Sequence, residues 1–485
     1  LSLSFYASGM GLWILTSPAE VAWYGLGYDI YGYALSAATP FVLILTWIYF
    51  QTRSLKSNEK EYFVLNKSEG VLGLSLSFYA SGMGLWILTS PAEVAWYGLG
   101  YDIYGYALSA ATPFLLIYIF GPKIADLLPN GATLAQFVET KYGNIAQKIV
   151  SIVAVIYMGA FLIAEFASIS FVFESISSVR GILISLLIAI TTLAYLFRHG
   201  FKASYFTDRL QSYGIILLLA IVLTIWLSQN SLSELVTYAN AGGLGSFETF
   251  SLKSALAVII AVTAAEVFSM GYWQRTFSAE NSKAIKQASI FSGIGAFLTI
   301  LILGIGGAVG AGKGIESPAL SFIEQLDLNN FTIILLVSLA TLLVTSSIDT
   351  LENAIASTIS LDILKKKSEE AKLITLLVVC ISFVISIEVT SIFNVFLVAD
   401  LFAACLVFPA FYRIKKSSKD ILLIIPFVGS LISVYVYRYL FIDLQVNPGG
   451  VFIPTDLYGL ADLNTFAIGL LSSMVITLVA DKAIK

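Results

Sequence analysis

The chain has 485 residues, 58% of them hydrophobic and 12% charged, with a formal net charge of −4 and a mean hydropathy of +0.87. Soluble domains carry about a quarter charged residues, so the composition excludes a large soluble core and describes a polytopic membrane protein. One histidine, His199, excludes multi-histidine metal sites, and Cys380 and Cys405 both lie in apolar runs, which points to neither a disulfide nor a metal cluster.

The chain opens on a repeat. Residues 1–41 recur letter for letter at 74–114, and the match stops at Val42 against Leu115. Identity over that length marks a recent or artefactual copy. Residue 1 is leucine, so the true start is expected to be missing or altered, and no signal peptide with a basic n-region is visible. The repeated stretch is an apolar run interrupted by Gly-x-Gly and Ser-Pro. Broken helices of that kind build ion and substrate sites in membrane transporters.

A spanning helix needs about 20 mostly apolar residues. With 1–34 set aside, thirteen spans are predicted, near 35–51, 71–92, 102–121, 148–176, 181–197, 211–228, 254–274, 288–311, 331–361, 373–389, 391–412, 420–437 and 464–481. The polar segments at 121–147, 229–253 and 438–463 read as loops with short surface helices. They leave no room for a soluble catalytic domain. Of the 27 lysines and arginines, all but Arg180, Lys253, Lys313 and Arg438 fall in one set of alternate loops. Basic loops stay in the cytoplasm, so the helix at 35–51 is expected to start outside and the C-terminus to lie inside, in a multi-pass protein of the plasma membrane.

Five motifs in order carry a family resemblance. Ala80-Ser81-Gly82-Met83-Gly84-Leu85-Trp86 followed by Pro91 resembles the first core helix of the sodium:solute symporter family, most closely its proline symporters. Glu61-Tyr62-Phe63 with Asn66-Lys67-Ser68 resembles the element before that helix. Gly200-Phe201-Lys202-Ala203 leading to Thr207-Asp208, then Gly271-Tyr272-Trp273-Gln274-Arg275, then Thr345-Ser346-Ser347 through Leu361-Asp362-Ile363 resemble later family segments. Val94-Ala95-Trp96, Pro129-Asn130 and the segment at 271–275 resemble the urea and polyamine permeases. The resemblance implies an all-α, five-plus-five inverted-repeat (LeuT-like) transporter fold. Residues 1–34 would be a non-functional copy of 74–107, and 35–70 an accessory helix and loop. The two repeats would be 71–228 and 254–412, with two accessory helices in 413–485.

The resemblance also implies a shared sodium site made of backbone carbonyls and hydroxyls: Ala80, Met83, Leu343, Ser346 and Ser347. Ala7 and Met10, in the early copy, are expected to bind nothing. Taken alone, a serine pair more often bonds back to its own helix; the broken helix opposite reverses that preference. The proline branch has an aspartate where this chain has Gly82. Asp208, Asp349 and Thr350 are candidates for a second cation or a proton, with pairing to nearby basic residues as the competing reading. An ionisable group deep in a span costs roughly 2.5–3.5 kcal/mol on insertion scales.

Glu93, Glu165, Glu266 and Asp400 fall in or beside apolar runs on helices that line the central cavity of this fold. By resemblance Trp86 and Phe161 match substrate contacts, and Glu266 stands where proline symporters place an aromatic contact. Few basic partners exist at that depth, so one hypothesis is a cationic substrate, with Trp86, Trp96 and Tyr97 as cation–π partners. The competing reading puts some of these acids at helix ends in water, Glu93 in the first turn after Pro91. A neutral solute such as urea stays open.

The function expected is sodium-coupled import of a small polar organic solute by alternating access, with no cofactor beyond Na+ as coupling ion. The alternatives are a proton-coupled permease for urea, polyamine or another amine, and a solute sensor. No nucleophile–base constellation suggests an enzyme. The partners expected are the solute, sodium and membrane lipid, without nucleic acid, on a monomer.

Overall fold

The computed structural model of the chain describes residues 67–98, 100–176, 180–199, 201–365, 368–414, 416, 418–442, 450–457 and 459–483. The copy at 1–34, with Ala7 and Met10, the predicted span at 35–51 and the family element at 61–66 lie outside the described residues. The rest is helical. Two isolated bridges, Glu69 to Ala279 and Thr455 to Ala461, are the β-type pairings among the described residues.

The first half opens on α1 (Val71–Gly82) and α2 (Ser90–Gly98), joined by a 3₁₀ turn at Leu85–Leu88 and bent by 66°. Met83 leaves the helix in extended backbone (φ −111°, ψ 96°), and Gly84 follows at φ −99°, ψ −171°. Two successive extended residues interrupt the i→i−4 ladder and free backbone polar groups in the middle of the membrane, which must find partners there. After the break come α3 (Tyr101–Leu127), the short α4 (Leu134–Tyr142), α5 (Asn144–Ile176), α6 (Gly181–His199) and α7 (Phe201–Gln229).

The second half repeats the plan. A surface helix, α8 (Leu232–Ala241), starts on a capping box of Ser231 and Glu234. Then α9 (Thr249–Glu266) and α10 (Met270–Ser278) form a second broken helix, followed by α11 (Ser282–Gly312), α12 (Asn330–Thr358), α13 (Ser368–Ser386) and α14 (Ile392–Phe411). The last turns of α12, Ile359–Leu364, widen into a π-helix. Two further helices, α15 (Ile421–Phe441) and α16 (Leu463–Ala483), pack on each other and on α14.

Among the described residues nine helices are long and apolar enough to span; the bent α1–α2 pair adds another, and Gly181–Ala194 and Lys372–Ser386 are shorter apolar helices. Each span predicted from residue 71 onward therefore has its helix. One expectation is corrected: 254–274 is not a single span. The helix stops at Val267, and Ser269 takes extended backbone (φ −65°, ψ 106°) before α10 begins. The expected surface helix within 229–253 is α8; the helix within 121–147, α4, is instead largely buried, because Leu134, Phe137, Val138 and Tyr142 pack inward.

The halves interlock. α11 lies along α3 and α1, α12 along α7 and α5, and α14 along α5 and α9. Large apolar side chains such as Leu115, Ile152, Ile190, Phe291, Ile432 and Val479 face outward, as a hydrocarbon solvent requires. Arg438, one of the few basic residues outside the main set of loops, is fully buried. It donates to the carbonyls of Gly450, Ile453 and Thr455, to Thr465 Oγ1 at 2.6 Å, and pairs with Asp462 at 3.3 Å. It clasps the loop between α15 and α16 and is spent on structure.

Candidate ion and substrate site

The two broken helices meet α5, α12 and α14 at the centre of the molecule. Tyr106, Tyr157, Phe161, Val262, Glu266, Phe393, Phe396 and Asp400 line a small cavity there. The space open to the centre of a water-sized sphere is about 20 Å³, room for about one water. The chamber is closed in this conformation and must widen to admit a solute. Its walls are aromatic: Phe161 and Phe396 lie 4.8 Å apart by centroid, and Trp86 packs on both, at 5.9 and 5.6 Å. The Trp86 indole N–H is buried without a partner among the described residues.

Two acids face this chamber. Glu266 ends α9, and the hydroxyls of Tyr157 and Tyr272 are directed at its carboxylate. Asp400, 2% exposed on α14, makes no hydrogen bond or ion pair with any described residue, and Glu266 is the charge beside it. Two ionised carboxylates in one buried cavity repel each other until a proton or a cation comes between them. The structure brings Phe161, Glu266 and Asp400 together here, with Trp86 behind the aromatic wall.

The other expected substrate contacts go elsewhere. Glu93 does not line the chamber: its carboxylate accepts from the Phe393 amide at 3.3 Å, at the start of α14, with Ser391 beside it. It caps a helix whose N-terminal dipole favours an acid. Trp96 donates its indole N–H to the Ile315 carbonyl at 2.9 Å and stacks edge-on with Tyr97, which is 45% exposed. Neither ring is among the residues that line the chamber, whose aromatic faces are those of Tyr106, Tyr157, Phe161, Phe393 and Phe396.

Glu165, one turn beyond Phe161 on α5, points the other way, into the break of the first helix. One oxygen accepts from the Leu85 amide at 2.9 Å, with the Trp86 amide adjacent; the other accepts from Ser347 Oγ at 2.8 Å. Ala80 and Met83 stand at the end of α1, where the Met83 amide closes on the Ala80 carbonyl at 3.2 Å. Leu343 and Ser347 are buried on α12. The Ser346 side chain lies outside the described residues. A Cβ on Gly84 would sit 1.4 Å from Glu165 Oε1 and 2.8 Å from Ser347 Oγ: glycine leaves the space that the carboxylate fills. Gly82 does the same for Tyr272, whose hydroxyl would lie 2.1 Å from a Cβ there.

Further along α12, Thr350 Oγ1 accepts from Arg275 Nη2 at 3.1 Å and reaches Asp349 Oδ1 at 3.4 Å. Arg275 is fully buried and also donates to Ser77 Oγ at 2.7 Å and the Gly271 carbonyl at 2.9 Å. A guanidinium therefore already stands beside Asp349 and Thr350. The side chain of Asp208 lies outside the described residues.

Other buried acids were given no role in the sequence analysis. Asp102, in the first turn of α3, has both oxygens without hydrogen-bond partners among the described residues. Glu352 accepts from Thr192 at 3.0 Å through one oxygen and leaves the other unpaired. Asp362, in the π-helical end of α12, accepts from Thr133 at 2.9 Å and Gln147 at 3.2 Å. The signal that singled out Glu165 and Asp400, an acid inside an apolar run, was present at Asp102 and Glu352 as well.

Two broken helices in two interlocked halves, with aromatic and acidic side chains at the crossing, define a LeuT-type transporter fold. The comparisons agree. No protein-family model matches the chain. It is 25% identical over 470 residues to the spermidine transporter DUR31 of Candida albicans, covering 92% of this chain and 87% of that protein. In fold it is similar to a Na+-coupled sialic acid symporter, with a TM-score of 0.68, 14% identity, and 92% of this chain and 96% of that chain covered. It is also similar to Mhp1, a nucleobase-cation-symport-1 family transporter, with a TM-score of 0.57, 13% identity, and 88% and 96% covered. The chain is a multi-pass membrane transporter of a small solute, and not an enzyme.

Proposed function

We propose that the chain imports a small solute bearing ammonium groups, a polyamine or related amine, coupled to sodium and by alternating access across the plasma membrane. The observation that carries the substrate reading is Asp400, a buried carboxylate without a partner among the described residues, facing Glu266 across an aromatic chamber. An incoming ammonium would relieve the repulsion between the two acids and meet the faces of Tyr106, Phe161 and Phe396. The likeness to a spermidine transporter supports the same substrate class.

Sodium would be held where α1 breaks, by the carbonyls of Ala80, Met83 and Leu343 and the hydroxyls of Ser346 and Ser347. A hard monovalent cation takes such oxygens in place of water. The likeness in fold to a Na+-coupled symporter supports this coupling ion. The distribution of lysine and arginine supports a cytoplasmic C-terminus. The closed chamber fits an intermediate between two open states, with the broken helices as the parts that hinge.

The test is uptake of labelled spermidine into proteoliposomes. Uptake should rise more under an imposed sodium gradient than under a proton gradient of equal size. Asp400→Asn should lower it at least tenfold; Glu266→Gln should impair amine uptake but spare any urea uptake. Unchanged amine uptake in both variants would remove the substrate assignment, and equal response to the two gradients would remove sodium coupling.

A further inference from the structure

Glu165 is the feature that a site of carbonyls and hydroxyls does not explain. We propose that its carboxylate is a direct ligand of the coupling cation, so that the ion site of this chain carries its own negative charge. The proposal rests on the sodium-coupled reading above and adds a residue to it from the opposite side of the site.

The geometry favours a ligand over a cap alone. Glu165 is fully buried, and its bonds are to two neutral donors, the Leu85 amide and Ser347 Oγ, with the Trp86 amide beside them. No lysine or arginine pairs with it among the described residues. Neutral donors lessen the cost of a buried carboxylate but leave its charge unbalanced. α1 ends at Gly82, Met83 and Gly84 follow in extended backbone, and Gly84 lies directly against the Glu165 carboxylate and Ser347 Oγ, so the carbonyls freed at the break would supply the remaining oxygens. Ser347 already bridges to the carboxylate, so a cation held by Ser347 lies beside Glu165 by necessity. Carboxylate, hydroxyl and carbonyl oxygens form the donor set of a hard cation, and no cluster of three or more His, Cys, Asp or Glu among the described residues offers a transition-metal site instead. One turn away on the same helix Phe161 lines the solute chamber, so α5 connects the ion and the solute directly.

The test reads cation binding rather than transport. The purified full chain in detergent is melted in rising NaCl, with N-methylglucamine chloride holding ionic strength constant. Bound cation stabilises the folded state as its concentration passes the dissociation constant. Wild type should show a saturable Na+-dependent rise in Tm. Glu165→Gln, which keeps an acceptor for the Leu85 amide but loses the charge, should raise the half-saturating Na+ concentration at least tenfold. Glu165→Asp, which keeps the charge but withdraws it by one methylene, should raise it less, and it carries the test if the glutamine variant does not fold. Ser347→Ala serves as the control for the site itself. If Ser347→Ala weakens Na+ binding while both Glu165 variants bind as wild type does, the carboxylate only caps the break and the proposal is overturned. If Glu165→Gln keeps its Na+ response and its uptake loses dependence on pH instead, the group carries a proton and the proposal is again overturned. If wild type shows no Na+ response at all, the sodium reading fails first, and the proposal falls with it.

Discussion

The two helix breaks solve one problem in two ways. Both interrupt a span in the middle of the membrane and both free backbone groups that hydrocarbon cannot satisfy. The second break closes on itself: the Phe268 and Ser269 amides turn back to Ala265 and Glu266, and the Val267 carbonyl accepts the Trp273 indole N–H at 2.7 Å. The first break also turns back on itself, through the Met83 amide on the Ala80 carbonyl and the Ile87 amide on the Gly84 carbonyl, but it takes an outside partner as well: Glu165, which accepts from Leu85, 80 residues away in sequence. A break satisfied by its own turns is electrically neutral and leaves Glu266 at its lip, turned to the solute chamber. A break satisfied by a distant carboxylate ties the end of α1, α5 and α12 together at one point. The difference supports the proposal that the first break serves the ion and the second the solute.

The sharpest way to break this contrast is Gly84→Ala. Backbone angles at Gly84 suit alanine, so the helix itself should survive. The new Cβ would coincide with the place of Glu165 Oε1, 1.4 Å away, and the flexible carboxylate would be the atom group to move. We expect the variant to fold and insert, to lose the Na+-dependent rise in Tm, and to take up solute at least tenfold more slowly. A variant with normal uptake and a normal Na+ response would show that the Glu165 insertion is dispensable.

At the second break the corresponding change is Trp273→Phe. Trp273 is 1% exposed and its indole is the donor for the Val267 carbonyl. Losing that bond leaves a buried carbonyl unsatisfied, at a cost of about 1–3 kcal/mol. The expected outcome is a lower Tm and a raised KM for the amine, with the half-saturating Na+ concentration unchanged. A shifted Na+ response here would mean that the two breaks are not separable as argued.

Some of this was legible beforehand. The spans follow from length and apolarity, because a membrane leaves a helix few other solutions. The first break was marked by Gly82, Gly84 and Pro91. The second was not: Val267-Phe268-Ser269 contains neither glycine nor proline, and its apolar character hides the interruption inside a continuous run. The acids at Glu165, Glu266 and Asp400 stood out against their surroundings, but which way each turns depends on helix rotation and on contacts made far along the chain. Glu165 and Phe161 are one turn apart and face different sites. Trp96 and Tyr97, attractive as composition, sit beyond the chamber because α2 is bent away from α1. Arg275 was read as part of a motif; its burial against Thr350 and Ser77 needed the packing of α10 between α12 and α1.

The smallest effect lies outside the membrane-spanning helices and tests whether the periphery is coupled to either break. Lys141 on α4 is 4% exposed, donates to the Tyr412 carbonyl at the end of α14, and faces the Tyr142 ring at 4.6 Å. Burial presses its ammonium down to about 7, against about 10.4 in an unfolded chain. Between those values the unfolded state binds more protons than the folded one, so stability should rise with pH from about 7 to about 10, by at most about 1.4 kcal/mol per pH unit. Below pH 7 both states carry the charge and the burial cost is paid in full. Lys141→Met should flatten the rise of Tm between pH 7 and 9. α4 packs on α5 and on the π-helical end of α12, while Lys141 itself bonds at the end of α14 and at neither break, so the Na+ response and the amine KM should stay as in wild type. If the methionine variant leaves the slope intact, the pH dependence belongs to another group; if it alters Na+ binding, the ion site extends along α14 beyond the two breaks.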